Sequence, residues 1–286
     1  MSKKTVLDFA DMKESGQKVV FLTAYDAQMA RLEEQAGVDM ILVGDSVGNT
    51  LLGYESTIPV TMDNMVLFTG AVRRGAPNTF IVGDMPFMSY QASVDDAVRN
   101  AGRLVKEAEA DAIKLEGGLQ VVPAVKAITD AGMLVMGHIG LTPQSAGQFG
   151  GWRAQGRSAE QAVNLVRDAL ALEEAGAFAI LLEGIPGVVS KAITERCSIP
   201  ILGIGGGLQC DGQLLIVYDM LGIFEAFKPK FVKRYGELAG VITEMFQEYG
   251  REVRAGEFPT TAHDYGMPRA EQEEFSRALA ELDSAG

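Results

Sequence analysis

"DMILVGDS", residues 39–46, sets four apolar residues, Met40 to Val43, directly before a glycine and a carboxylate, Asp45. So short and uniformly apolar a run reads as a strand buried on both faces. The same beat recurs in "VVFLTAYD" (19–26), "FIVGDMP" (80–86), "AIKLEGG" (112–118), "LVMGHIG" (134–140), "FAILLEGIP" (178–186) and "IPILGIGGG" (199–207). Helix-like stretches such as "SVDDAVRNAGRLVKEA" (93–108) and "SAEQAVNLVRDALALEEAG" (158–176) fall between them. That makes seven strand–helix alternations. The stretch "FEAFKPKF" (224–231) is the expected eighth, although charge and Pro229 interrupt its apolar run. Short apolar strands alternating with helices imply βαβ units and a parallel sheet. Eight units close into a (β/α)8 TIM barrel, and fewer leave an open doubly wound sheet; length and the uniform beat favour the barrel. No Pro/Ser-rich linker interrupts the chain, so one domain is expected to about residue 264. A charged, helical or partly disordered tail follows over 265–286.

Composition narrows the function classes. The 286 residues are 47% hydrophobic and only 7% aromatic, which suits a core of Val, Ile, Leu and Ala. A formal charge of −13 disfavours nonspecific nucleic-acid binding, and an anionic ligand needs a local exception such as a metal ion or a well-placed Lys or Arg. Cys197 and Cys210 lack zinc-type spacing and read as free thiols of a reducing compartment. The opening "MSKKTVLDFADMKESGQK" has no apolar core of a signal peptide, and no run approaches the roughly 18–20 apolar residues that span a bilayer. The expectation is a cytoplasmic α/β protein with no membrane partner.

Polar residues stand where the strands end: Asp26, Asp45, Asp84, Lys114 with Glu116, His138 and Glu183. A single Asp there is most often a cap for the next helix. A ring of acids on the rim that carries active sites in parallel α/β folds is self-repelling, and normally needs a cation, a proton or solvent. Metal binding is the economical explanation. Mg²⁺ suits it, as a hard ion that takes one or two carboxylates and keeps several waters; zinc would usually recruit more than the two His present. Lys114 and Glu116 are two apart and share one side of their strand, so both are expected to point inward. Glu183 follows four apolar residues, an approach that can raise a carboxyl pKa and suit it to general-base work. His138 reads equally as a hydrogen-bonding partner of the site or as an ordinary loop histidine. Hydrolysis, enolate chemistry and simple metal-dependent binding all remain open from spacing alone.

The strings "LVGDSVGN", "STIPVTMDNM", "GDMPFMSY", "IKLEGG", "GHIGLTPQS", "LLEGIP", "IPILGIGGG" and "PKFVKRY" stand in an order that resembles the ketopantoate hydroxymethyltransferase family, from about residue 4 to residue 264. The resemblance implies a barrel of the phosphoenolpyruvate/pyruvate type and a homodecamer. It implies transfer of a hydroxymethyl group from the co-substrate 5,10-methylenetetrahydrofolate to 3-methyl-2-oxobutanoate, an early step toward pantothenate. Carried onto this chain, it makes Asp45, Asp84 and Glu116 the Mg²⁺ carboxylates, and Asp45, Ser46, Asp84 and Lys114 the keto-acid contacts. Glu183 becomes the proton acceptor, with His138 beside it. Competing expectations are a Mg²⁺-dependent oxoacid carbon–carbon lyase or mutase on a related barrel, and a non-catalytic oligomeric oxoacid-binding protein.

Phe68 stands where many members of that family have His, and the tail is longer than usual. No aromatic box or basic cluster announces a folate site. The loop "GWRAQGR", with Arg153 and Arg157, is a weak candidate that reads as readily as a covering loop.

Overall fold

In the computed structural model, which describes residues 3–147 and 150–284, eight parallel strands close into a barrel in chain order. They are β1 (Val19–Thr23), β2 (Met40–Val43), β3 (Phe80–Asp84), β4 (Ala112–Glu116), β5 (Leu134–Gly140), β6 (Ala179–Glu183), β7 (Ile201–Ile204) and β8 (Gly212–Leu215). Helix α1 (Val6–Ser15) precedes β1, and α2 (Ala27–Gln35) follows it. A short α3 (Val47–Thr50) and then α4 (Met62–Gly75) follow β2. Next come α5 (Val94–Ala108), α6 (Val122–Asp130), α7 (Ala159–Glu174) and α8 (Gly187–Thr194), one after each of β3 to β6; α9 (Val217–Met220) follows β8.

Period-two alternation builds two apolar layers from each strand. Phe21, Met40, Leu42, Phe80, Val82, Ala112, Met136, Ala179, Leu181, Leu202 and Leu214 face the lumen and pack together. Their neighbours Ile41, Val43, Ile81, Ile113, Leu115, Val135, Ile180 and Ile201 face outward under the helices. Helix α5 shows how the outer ring is specified. Ser93 caps it, accepting from the Asp96 N–H at 3.1 Å, and Ala97, Ala101, Leu104 and Ala108 form its buried stripe.

Helix α1 closes the end at which the strands begin. Phe9 is fully buried in the lumen cluster and meets Phe80 edge to face, ring centroids 5.1 Å apart. Lys13 pins the same helix to Asp211 at 2.7 Å, and Asp211 also accepts from the Ile201 N–H at 2.9 Å.

The eighth strand is not the expected 224–231 stretch. It is "GQLL", Gly212–Leu215, paired with β7 on one side and β1 on the other. Gly212 is what permits the closure: a Cβ there would lie 2.6 Å from the Val19 carbonyl oxygen and 2.7 Å from Leu202 Cδ2. A glycine that reads as a strand breaker in sequence is thus required at the seam.

By its own contacts the chain divides after Gly236, ahead of the boundary expected near residue 264. The second unit contains α10 (Leu238–Ala255), ended by Gly256 at φ 69°, and α11 (Arg269–Ser284). Among the described residues no helix is long and apolar enough to cross a membrane.

Candidate active site

Following the lumen-facing register upward from the apolar layers leads to a polar one. Asp84 ends β3 opposite Lys114, Glu116 lies opposite His138, and Glu183 ends β6 opposite Gly140. Asp45 lies two residues beyond β2. Asp45, Asp84, Lys114, Glu116 and His138 are each no more than 5% exposed. Lys114 and Glu116 therefore both point inward, the arrangement expected from their spacing.

The charges are mutually dependent. Lys114 Nζ lies 2.9 Å from Asp84 Oδ1 and 3.9 Å from Glu116 Oε1. Burial alone would lower the Lys114 pKa, but Asp84, Glu116 and Asp45 outweigh it and raise it, so the ammonium persists. Burial pushes the Glu116 carboxyl up to about 8 against the pull of Lys114. Burial also raises Glu183, opposed by a contact with His138. The imidazole is driven the other way, lowered by burial and by Lys114. His138 Nδ1 lies 3.3 Å from Lys114 Nζ and Nε2 lies 3.2 Å from Glu183 Oε2. A neutral imidazole facing an ammonium at Nδ1 carries its proton on Nε2, an assignment made from the surrounding network. That proton faces the Glu183 carboxylate.

Asp45 is not a helix cap. No side chain caps α3. The Asp45 N–H instead donates to Asp84 Oδ2 at 3.0 Å, and Asp45 Oδ2 accepts from Gln144 Nε2 at 2.9 Å. Gln144 is a residue that the sequence reading did not single out, although it lies within "GHIGLTPQS". Its second Nε2 hydrogen goes to the Met85 carbonyl at 2.9 Å, and its N–H to Glu116 Oε2 at 3.0 Å. Its Oε1 accepts from the Tyr90 hydroxyl at 2.7 Å, and that hydroxyl accepts from the Glu116 N–H at 3.1 Å. One buried amide thus links the ends of β2, β3, β4 and β5. A glutamine has no charge to betray it in sequence; only its strand-end position hinted at the role.

The donor set fits a hard divalent cation better than it fits none. Asp84 Oδ1 and Glu116 Oε1 are buried without a hydrogen-bond partner, the former holding Lys114 only as an ion pair. Burial raises Asp45 well above the ordinary carboxylate range, and the charges of Asp84 and Glu116 push it further. Three crowded carboxylates with one ammonium between them favour proton uptake by Asp45 and Glu116, and a divalent cation would let them ionise instead. Among the described residues no three His, Cys, Asp or Glu side chains converge as a ready-made cage.

One expected member of the ring, Asp26, lies apart. Asp26 is the cap of α2, its Oδ1 accepting from the Gln28 and Met29 N–H groups at 2.8 and 2.9 Å. It plays the ordinary role that Asp45 does not. Ser46 Oγ pairs with the Tyr25 hydroxyl at 2.8 Å. Phe68 packs, partly buried, into the layer between helices and barrel. Cys197 and Cys210 are buried free thiols.

The family model for ketopantoate hydroxymethyltransferase matches residues 3–261. A 3-methyl-2-oxobutanoate hydroxymethyltransferase of Alkaliphilus metalliredigens is 55% identical over 280 residues, which cover 98% of this chain and 99% of the relative. One of Desulfotalea psychrophila is 55% identical over 263 residues, covering 92% and 94%. Among solved structures, a phosphonopyruvate hydrolase in complex with oxalate and Mg²⁺ has a TM-score of 0.59 at 14% identity, over 99% of each chain. A 2,3-dimethylmalate lyase of the phosphoenolpyruvate mutase/isocitrate lyase superfamily has a TM-score of 0.57 at 14% identity, over 98% of each chain. At such identity the likeness is one of fold alone.

Proposed function

The chain belongs to the ketopantoate hydroxymethyltransferase family, and from that premise we propose that it moves a hydroxymethyl group from 5,10-methylenetetrahydrofolate to 3-methyl-2-oxobutanoate. The products are 2-dehydropantoate and tetrahydrofolate, which makes this the first committed step toward pantothenate and coenzyme A. The same reading makes the protein a cytoplasmic homodecamer. The relatives are named as enzymes, so the expectation of a non-catalytic binding protein is withdrawn.

The observation that carries the reading is a partly buried carboxylate, Glu183, beside a neutral histidine, on the same rim as an acid–lysine cluster. Asp45 and Asp84 would hold Mg²⁺, with Glu116 turned toward its waters. When bound, the ion supplies positive charge where the substrate's keto oxygen gains negative charge, commonly the largest catalytic contribution. Lys114 places a second, permanent positive charge beside the substrate oxygens. Glu183 removes the proton from C3, the carbon next to the keto group; its raised pKa makes it a stronger base than an exposed glutamate. The C3–H electron pair delocalises onto the keto oxygen. Water adds to the folate methylene carbon and both of its C–N bonds break, leaving tetrahydrofolate and a one-carbon unit at the level of formaldehyde. C3 attacks that carbon, and the alkoxide formed takes the proton held by Glu183 to give the hydroxymethyl group. His138, whose Nε2 lies 3.2 Å from Glu183 Oε2 as a close contact and not an aligned hydrogen bond, would steady the carboxylate before the transfer.

Tetrahydrofolate release that requires both 3-methyl-2-oxobutanoate and Mg²⁺ tests the reaction. Product formation without folate would favour the lyase or mutase alternative. Glu183→Gln is expected to bind the keto acid and to stop exchange of its C3 proton into D₂O. Exchange at the wild-type rate would remove Glu183 as the base.

A further inference from the structure

The loop carrying Arg153 and Arg157 is fixed against the strand that carries Glu183. The Gln155 N–H donates to the Gly184 carbonyl at 3.0 Å, one residue past Glu183. Gly156, at φ 70°, lets the loop lie on α7: a Cβ there would meet Leu165 Cδ1 at 2.7 Å. The Arg157 N–H is held by Gln161 Oε1 at 3.2 Å. Between the loop and α7 lies a solvent-open recess of about 530 Å³ lined by Arg153, Ala154, Gln155, Arg157 and Gln161, with both arginines exposed. That is within the usual range for small-ligand sites, roughly 300–1,000 Å³. Gln155 and Gln161 also line an adjoining recess of about 200 Å³, whose wall includes Gly117 and Gly140. Gly117 follows Glu116, and Gly140 is the register partner of Glu183. The two recesses therefore run from the arginines to the backbone beside the acid cluster.

Acids outnumber bases 38 to 25 in this protein, yet neither arginine forms an ion pair among the described residues. Two unpaired guanidinium groups lining one recess make a site for a ligand with two carboxylates, which arginine binds in a bidentate fashion. We propose that this recess receives the glutamate end of the folate, with Arg153 and Arg157 taking its two carboxylates. The proposal rests on the hydroxymethyl-transfer reading for its ligand. It adds a specificity site, separate from the residues that hold the keto acid.

The test is a cycle between protein and ligand truncations. Arg153→Ala/Arg157→Ala is expected to exchange the C3 proton of 3-methyl-2-oxobutanoate into D₂O at the wild-type rate, because that half-reaction needs no folate. With 5,10-methylenetetrahydrofolate its KM should rise about 10- to 100-fold, the scale of two charge-assisted contacts, with a smaller change in kcat. With 5,10-methylenetetrahydropteroate, which lacks the glutamate, wild type and variant should have the same raised KM. A KM within twofold of wild type for the full folate would overturn the site. So would an equal penalty on the truncated folate. An enzyme that turns over without any folate would count against the hydroxymethyl-transfer reading itself, a different result from each of these.

Discussion

The lower and upper parts of the barrel lumen are made by the same strands in the same inward register, yet they do opposite things. Below, Phe21, Met40, Phe80, Met136 and Leu202 fill the interior, and Phe9 stops the end. Above, the next inward positions are Asp84, Lys114, Glu116, His138 and Glu183. Burying apolar area stabilises a fold by about 25 cal/mol per Å². Burying charge costs several kcal/mol per ion before pairing returns any of it. One layer holds the barrel together; the other is a strained set of charges that the first makes affordable. The lesson concerns position: along one strand, two residues of rise separate stability from chemistry.

The division implies that changes in the two layers should show up in different measurements. The largest effect is expected from Asp84→Ala. Turnover should fall about 10³-fold, the scale of removing a preorganised charge from a buried site, while the circular dichroism spectrum keeps its wild-type shape. EDTA should silence the wild-type enzyme, and Mg²⁺ should restore it. Activity of the variant within tenfold of wild type would show that the acid cluster is not where the chemistry happens.

Phe9→Ala is the converse change. Removing a fully buried ring from a packed lumen should cost about 3–5 kcal/mol in urea unfolding. The turnover of the molecules that remain folded should stay near that of wild type. If kcat fell in proportion to stability, the two layers would be one mechanical unit.

Gln144 carries no charge and braces the acid cluster through its amide, so its effect should be mixed and smaller. Gln144→Met keeps the length of the side chain but removes the donor to Asp45 and the acceptor for Tyr90. We expect kcat/KM to drop about 10-fold, through weaker keto-acid and Mg²⁺ binding by calorimetry, with a modest loss of stability. Unchanged binding with a lower melting temperature would make Gln144 purely structural.

How far the sequence foretold this arrangement depended on the kind of signal. Strands β1 to β7 were readable because buried parallel strands are short apolar runs, and the 134–140 run matches β5 end to end. The eighth was missed because "GQLL" offers only two apolar side chains and opens with a glycine. Its place in the barrel comes from tertiary closure, which no local pattern reports. Charged strand-end residues were conspicuous for the same reason that they are costly. Asp26 misled, since a cap and a site acid look alike until the next helix is placed. Gln144 was invisible as a neutral residue whose five partners come from distant segments.

Glu33 separates burial of charge from chemistry. On α2, outside the lumen, it is 4% exposed and neither carboxyl oxygen has a hydrogen-bond partner among the described residues. Burial, helped by the charge of Asp26, raises its pKa from 4.5 to about 8. The folded state thus holds a proton that the unfolded chain releases near pH 4.5. The associated stability is complete below about pH 4.5 and is lost as pH rises through about 8. Between pH 5.5 and 8 the wild type should therefore lose about 3 kcal/mol through this residue alone, and Glu33→Gln should flatten that slope. Turnover, measured at each pH below the melting transition, should follow the same profile in both proteins. A pH–rate profile altered by Glu33→Gln would mean that a carboxylate in the helix layer communicates with the mouth. A stability slope equal in both proteins would mean that Glu33 is hydrated and ionised in the folded state, leaving the mouth as the place where buried acids accumulate.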